Sequence, residues 1–203
     1  MDATRTTVTK GTETQRTNLM TTMTPNQTKM AQRAAQLLET GFVVIDFETT
    51  GFPSDPKVAI IEVAVIDHRG GVLLNTLVQP GCSIPMRASQ VNGIYDDDVV
   101  DALPFEALYP DLMALLDGQI AIAYNHTFEQ GIINTVCGRY DMTAPTADWR
   151  CAMRAYAMYR DLRGFSSLVK ACTAEGITIE NAHRALGDCK MTLALMYTMA
   201  QLA

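Results

Sequence analysis

Apolar residues are scarce at the start of the chain and then fall into alternating strand and helical periods. Residues 1–28 hold almost no aliphatics, and eleven of the first thirty residues are threonine. So polar a segment buries too little surface to offset the entropy of ordering it, and a disordered Thr-rich tail is expected over 1–28. Met20, Met23 and Met30 could each begin a shorter chain. A single domain is expected over 29–203, of ordinary size for one buried core. It opens with KMAQRAAQLLET (Lys29 to Thr40), whose apolar stripe through Met30, Ala34, Leu37 and Leu38 reads as a helix stopped by Gly41.

FVVID (Phe42 to Asp46) is a continuous apolar run ending in an acid, the pattern of a central strand buried on both faces. VAIIEVAVID and GVLLNTLVQP, joined through His68-Arg69-Gly70-Gly71, read as an antiparallel hairpin. A Pro-containing connection and the acidic cluster Asp96 to Asp98 follow, then a helical stretch near Phe105 to Leu116. QIAIAY (Gln119 to Tyr124) reads as another buried strand. Helices are expected over His126 to Cys137, Arg150 to Tyr159, Phe165 to Glu175 and Arg184 to Ala200. Strands first, then strand and helix alternating, indicate an α/β domain with a mixed sheet.

Composition narrows the class. With 48% apolar and 19% charged residues, the chain has the balance of a soluble globular protein. No apolar run reaches the 18 or so residues of a membrane span, and MDATRTTVTK lacks the apolar core of a secretory signal, so no membrane partner and a cytoplasmic location are expected. The five cysteines are scattered without a C-x-x-C pair, which favours reduced core thiols over zinc or disulfides. A net charge of −6 would ordinarily disfavour nucleic acid. Divalent cations held by carboxylates would reverse that sign where phosphate approaches, so the acidity decides nothing alone.

Three segments carry chemistry. In Asp46-Phe47-Glu48-Thr49-Thr50-Gly51 the two acids lie two apart on a strand, so both carboxylates share a face and can reach one ion. Such hard oxygen ligands suit Mg²⁺ or Mn²⁺, which keep positions open for phosphate and water. In Tyr124-Asn125-His126-Thr127-Phe128-Glu129 an apolar strand gives way to a helix, the edge of a sheet where ligands bind. Glu129 could face Asp46 there, although by itself such an acid more often complements a helix dipole. In His183-Arg184-Ala185-Leu186-Gly187-Asp188, five residues of helix would turn about 140° and separate the two side chains. They converge only if His183 lies on the loop and Asp188 in the opening turns. A histidine beside a metal site suits a general base, because its pKa lies near neutrality.

Taken in order, DFETTG, N-x-x-F-acid and H-x4-D resemble the DEDDh 3′→5′ exonuclease family. The resemblance runs from about Phe42 to Leu202 and takes in IIEVAVID, the stretch Ile84 to Ile94, WRCAM (Trp149 to Met153) and FSSL (Phe165 to Leu168). Arg184, four residues before Asp188, disfavours the sister group with tyrosine there. The resemblance implies a ribonuclease-H-like fold, a five-stranded mixed sheet flanked by helices. It implies a two-metal carboxylate site of Asp46, Glu48, Glu129 and Asp188, filled by two Mg²⁺ or Mn²⁺, with His183 as general base. It further implies removal of nucleoside 5′-monophosphates from nucleic-acid 3′ ends, single-stranded DNA favoured and RNA possible. Backbone groups at Thr49 and Thr50 would hold the terminal nucleotide, and Phe52 would stack or wedge against its base. Association with a polymerase or another nucleic-acid-processing complex is a further expectation.

Three positions depart from the family pattern. Glu129 stands where aspartate is usual, Tyr124 and Asn92 where histidine is usual. The extra methylene of Glu129 keeps the charge but moves the oxygens by more than about 1 Å, a scale to which metal positioning is sensitive. The alternatives to a DNA exonuclease are therefore a weakened homologue that grips 3′ ends or a polymerase, and an RNA-trimming exoribonuclease.

Overall fold

The computed structural model describes residues 23–203. The expected disorder of the first 22 residues lies outside that range. The first helix, α1, spans Pro25–Thr40 and so starts four residues before Lys29. Its start is built by a capping box: the Thr24 hydroxyl accepts from the Gln27 amide at 3.2 Å, and the Gln27 side chain accepts from the Thr24 amide at 2.8 Å. Pro25 sits at the first helical position, where its missing N–H costs nothing. Residues 25–28, expected in the tail, therefore belong to the domain.

Five strands follow: β1 (Val43–Thr49), β2 (Ile60–Asp67), β3 (Val72–Leu77), β4 (Ile120–Ala123) and β5 (Asp148–Cys151). Their order is β3-β2-β1-β4-β5, with β1 antiparallel to β2, β2 to β3, and β1, β4 and β5 mutually parallel. This is the mixed sheet expected. The remaining helices are α2 (Met86–Asn92), α3 (Asp96–Val99), α4 (Phe105–Leu116), α5 (His126–Arg139), α6 (Ala152–Tyr159), α7 (Leu168–Ala174) and α8 (Ala185–Ala200).

Period-two alternation sends the strand residues into two cores. Phe42, Val44, Ala64, Ile66 and Ile122 pack toward α1, α6, α7 and α8. Val43, Ile45, Phe47, Val63 and Val65 pack toward α4 and α5 through Leu108, Leu112, Ile132 and Val136. Both faces of β1 are covered, which is why its sequence is apolar without interruption.

Three expected elements shift. Arg150 and Cys151 were expected in a helix but close the parallel strand β5, because Arg150 pairs in register with Ile122 and Cys151 with Ala123. The segment expected from Phe165 becomes helical only at Leu168, where the Ser167 side chain accepts from the Lys170 amide. The two short helices α2 and α3 occupy what read as a loop. The cysteines form no disulfide; Cys137, Cys172 and Cys189 are buried, while Cys82 is exposed. Among the described residues no helix is long and apolar enough to cross a membrane.

Candidate active site

Alternation along β1 places Asp46 and Glu48 on the face that carries Val44, toward α8. The register pairs Asp46 with Ala64 and Glu48 with Glu62 on β2. Helix α8 crosses this face and presents Asp188 from its first turns, while Cys189 beside it is buried under the strands, its thiol 3.5 Å from the Ala64 carbonyl. A carboxylate oxygen from each of Asp46, Glu48 and Asp188 lies within 4.8 Å of the others. Glu129 arrives from the first turn of α5, is 4% exposed, and has an Oε2 that is buried without a hydrogen-bond partner. It stands outside the three-residue cluster by that distance but close enough to repel Glu48 and Asp188.

This crowding has a large electrostatic consequence. Although Asp46 and Glu48 keep some exposed surface, protein encloses their carboxyl groups. Burial first, then repulsion from Glu129, Asp188, Glu48 and Glu62, holds the Asp46 pKa well above the ordinary carboxylate range. Burial and the charges of Asp188 and Glu62 push Glu48 up to about 8, against the lowering influence of the Asn92 amide and Arg184. Glu129 also rises to about 8, chiefly by burial. Asp188 is raised by burial and held down by the His183 amide and imidazole. Four carboxyl groups that resist ionising together, one with an orphaned oxygen, have the donor chemistry for divalent cations.

His183 lies on the loop before α8, with φ 63°, and its backbone amide donates to Asp188 Oδ1 at 3.1 Å. The convergence required of this pair is present. The loop lies against the helix at Gly187, where an added Cβ would stand 2.3 Å from the Asn181 carbonyl oxygen and 2.7 Å from that of Glu180. His126 begins α5, and its Nδ1 is buried without a partner. Burial, then the nearby charge of Arg154, lowers its pKa.

The expected substrate-binding residues divide. Phe52 is 67% exposed and packs edge-on against Phe128, ring centroids 6.4 Å apart. Its loop is fastened to α5: the Thr135 hydroxyl donates to the Pro53 carbonyl, and Arg139 donates to the carbonyls of Lys57 and Val58. The Thr50 amide donates to the Ala59 carbonyl and its hydroxyl accepts from the Ala59 amide, so both fasten the turn that follows β1. The Thr49 hydroxyl donates to the Gly51 carbonyl.

Sequence reasoning passed over Glu62 and the role of Arg184. Glu62 is 4% exposed, yet it accepts from Arg184 Nη2 at 2.7 Å, from Nε at 3.1 Å, and from the Ala185 amide at 2.9 Å. This forked ion pair joins β2 to the N-cap of α8, between His183 and Asp188. The signal available was a lone acid inside the apolar run IIEVAVID, which requires a partner. The departures also find uses: the Tyr124 hydroxyl donates to the Ser166 carbonyl at 2.6 Å, and buried Asn92 sits beside Glu48.

The comparisons with known proteins agree with this geometry. The exonuclease family described as RNase T matches residues 43–196. This chain belongs to that exonuclease family. Its relatives include the uncharacterized exonuclease CP81 of Escherichia phage 186, 33% identical over 185 residues that cover 85% of this chain and 94% of that one. They also include DNA polymerase III subunit epsilon of Treponema pallidum, 30% identical over 165 residues, 78% and 75% of the two chains. Among solved structures, the nuclease domain of 3′hExo, a DEDDh family member bound to rAMP, superposes with a TM-score of 0.68 at 18% identity, covering 79% of this chain and 92% of that one. The exonuclease resemblance and the ribonuclease-H-like fold are thus shown, the chain is a nuclease that hydrolyses nucleic acid, and its acidic cluster has the donor chemistry for divalent metals.

Two outcomes follow from the electrostatics. Because Glu48 and Glu129 have folded pKa values near 8 against ordinary values of 4.5, the folded state binds more protons than the unfolded chain between those limits. In EDTA, thermal stability should therefore fall as pH rises from about 5 to 8. A divalent cation, which binds the ionised forms, should reverse the trend, and a Glu48→Gln/Glu129→Gln variant should flatten it. Melting curves that rise with pH in EDTA would contradict the assignment.

The ion pair is asymmetric, with 5% of the Glu62 side chain exposed against 44% for Arg184. Arg184→Ala leaves a buried charge beside three other acids and should cost about 3 kcal/mol or more. Glu62→Gln lets the arginine turn to water and should cost about 1–2 kcal/mol. Urea denaturation that gives the opposite order would show that the pair does not neutralise Glu62.

Proposed function

We propose that this chain is a metal-dependent 3′→5′ exonuclease that removes nucleotides one at a time and releases nucleoside 5′-monophosphates. The observation that carries this reading is the convergence of Asp46, Glu48 and Asp188, with buried Glu129 and its unpartnered oxygen alongside. These four would hold two Mg²⁺ or Mn²⁺. When bound, such ions supply positive charge for the attacking and leaving oxygens of an in-line displacement.

The chain's own residues account for the rest. His183, exposed on its loop next to Asp188, accepts the proton of the attacking water. The new P–O bond forms as the bond to the 3′ oxygen of the preceding nucleotide breaks; that oxygen takes a proton from solvent water to become the fresh 3′-OH, and His183 gives its proton back to solvent. The Glu62–Arg184 fork holds the start of α8, and with it the His183–Asp188 spacing. Phe52, braced by Phe128, stacks against the terminal base. Thr49 and the carbonyl side of the Thr50 turn line its approach. Single-stranded DNA is the proposed substrate; the DNA polymerase III subunit epsilon relative supports DNA and association with a polymerase. The rAMP-bound neighbour keeps RNA as an outcome of the test.

With Mg²⁺ or Mn²⁺, a 5′-labelled single-stranded oligonucleotide should shorten in single steps and a 3′-labelled one should release mononucleotide at once; EDTA should abolish both. Shortening from the 5′ end, or undiminished activity in EDTA, would overturn the mechanism. His183→Ala should lower kcat by about 10²–10⁴-fold with little change in KM, the usual contribution of general acid–base catalysis. His126→Ala should lower it less than about tenfold. If His126→Ala is the more damaging at saturating metal, the base is misassigned.

A further inference from the structure

We infer that Arg154, Arg163 and Phe165 form a second grip on the substrate strand, holding nucleotides upstream of the one being removed. The inference rests on the nuclease reading, and its observations are independent of the carboxylate cluster. In an acidic protein, basic residues without structural employment are informative. Arg160 is tied to Glu175, Arg184 to Glu62, Arg150 to Asp148, and Arg139 to the carbonyls of Lys57 and Val58. Arg154 and Arg163 are exposed, and among the described residues neither enters an ion pair. Both line one open hollow of about 540 Å³, together with Met158, Leu162 and Phe165. Its one acid, Asp161, accepts from Thr24 at 2.7 Å and from Asn26 at 2.9 Å, and so is already engaged with the start of α1.

Phe165 is 65% exposed, flanked by Gly164 and Ser166, and Met158 and Leu162 beside it are 40% and 44% exposed. Apolar surface of this kind between two guanidinium groups suits a base stacked on a ring with its phosphates on arginines. Position supports the same occupant. The Tyr124 hydroxyl ties this loop to the end of β4 through the Ser166 carbonyl, and the Met153 amide, next to Arg154, donates to the Tyr124 carbonyl at 2.9 Å. Asn125 and His126 follow Tyr124, and Glu129 lies one turn further on. The hollow therefore borders the strand end that delivers Glu129, on the α6 side, whereas Phe52 packs on α5. A strand whose last base rests on Phe52 has a continuation there, recognised by backbone charge and base faces and not by sequence.

The test uses two substrates that share the cleft and differ in the grip. The p-nitrophenyl ester of thymidine 5′-monophosphate reaches only the carboxylates; a single-stranded DNA oligomer spans both places. Arg154→Ala/Arg163→Ala and Phe165→Ala should each raise KM for the oligomer by about five- to fifty-fold, with kcat within about threefold. Ester hydrolysis should be unchanged. Phe165→Trp should keep oligomer affinity. The double arginine variant should also reduce the dependence of log KM on log salt by about 0.7 for each phosphate that an arginine no longer neutralises. Fluorescence anisotropy of the labelled oligomer in Ca²⁺ should show the same weakening of affinity without turnover. Unchanged KM and Kd for the oligomer, or a parallel loss with the ester, would overturn the grip. Wild-type protein that binds the oligomer with these dependences yet hydrolyses neither substrate would sink the nuclease reading and leave the grip standing.

Discussion

Mutual repulsion among carboxylates enclosed by protein governs this molecule. Asp46, Glu48, Glu129 and Asp188 come from three elements on two faces of one sheet, and burial raises the cost of ionising each. Such a group is held together only because the scaffold is stronger than the repulsion. That strength comes from β1, which is sealed on both faces by separate cores. The strand cannot yield toward either side, so its terminal acids stay where cations can bridge them. The charge that costs stability there would be the source of any affinity for a divalent cation.

The fifth acid shows how the same fold limits that cost. Glu62 stands opposite Glu48 across the β1–β2 ladder and would add one more charge to the cluster. Arg184 instead takes both of its oxygens, and the Ala185 amide takes a further bond. The neutralised pair fastens α8 at the point where the chain changes from loop to helix. It therefore sets the distance between a residue of the loop, His183, and a residue of the helix, Asp188. Gly187 completes the device, since any larger residue would press on the carbonyls of Glu180 and Asn181.

Much of this was legible in the sequence because the responsible patterns are local. The uninterrupted apolar run before Asp46, the hairpin, QIAIAY before Asn125, and the loop position demanded of His183 all follow from period and spacing. The elements that escaped are those whose structure comes from distant partners. β5 is four residues long, with alternating exposure, and Arg150 and Cys151 read as a helix start; only pairing with β4 makes it a strand. α2 and α3 have seven and four residues, too few for a helical period to emerge. The Glu62–Arg184 pair spans 122 positions, and no spacing rule reaches that far.

The acidic composition can now be placed. Five of the chain's 22 acids stand at or beside the cleft, and one of them is already neutralised by an arginine. Two divalent cations would offset the other four charges where the scissile phosphate must sit. Net charge therefore describes the cleft without cations, whereas in the proposed reading the substrate would meet a neutralised one flanked by exposed Phe52 and by the Arg154–Arg163 surface. The sign of the whole protein carries little information about its partner when the charge is concentrated in a site that recruits counter-charge. The distribution matters instead, and here acids converge in one cleft while Arg154 and Arg163 line a separate hollow, where the proposed grip would meet the strand.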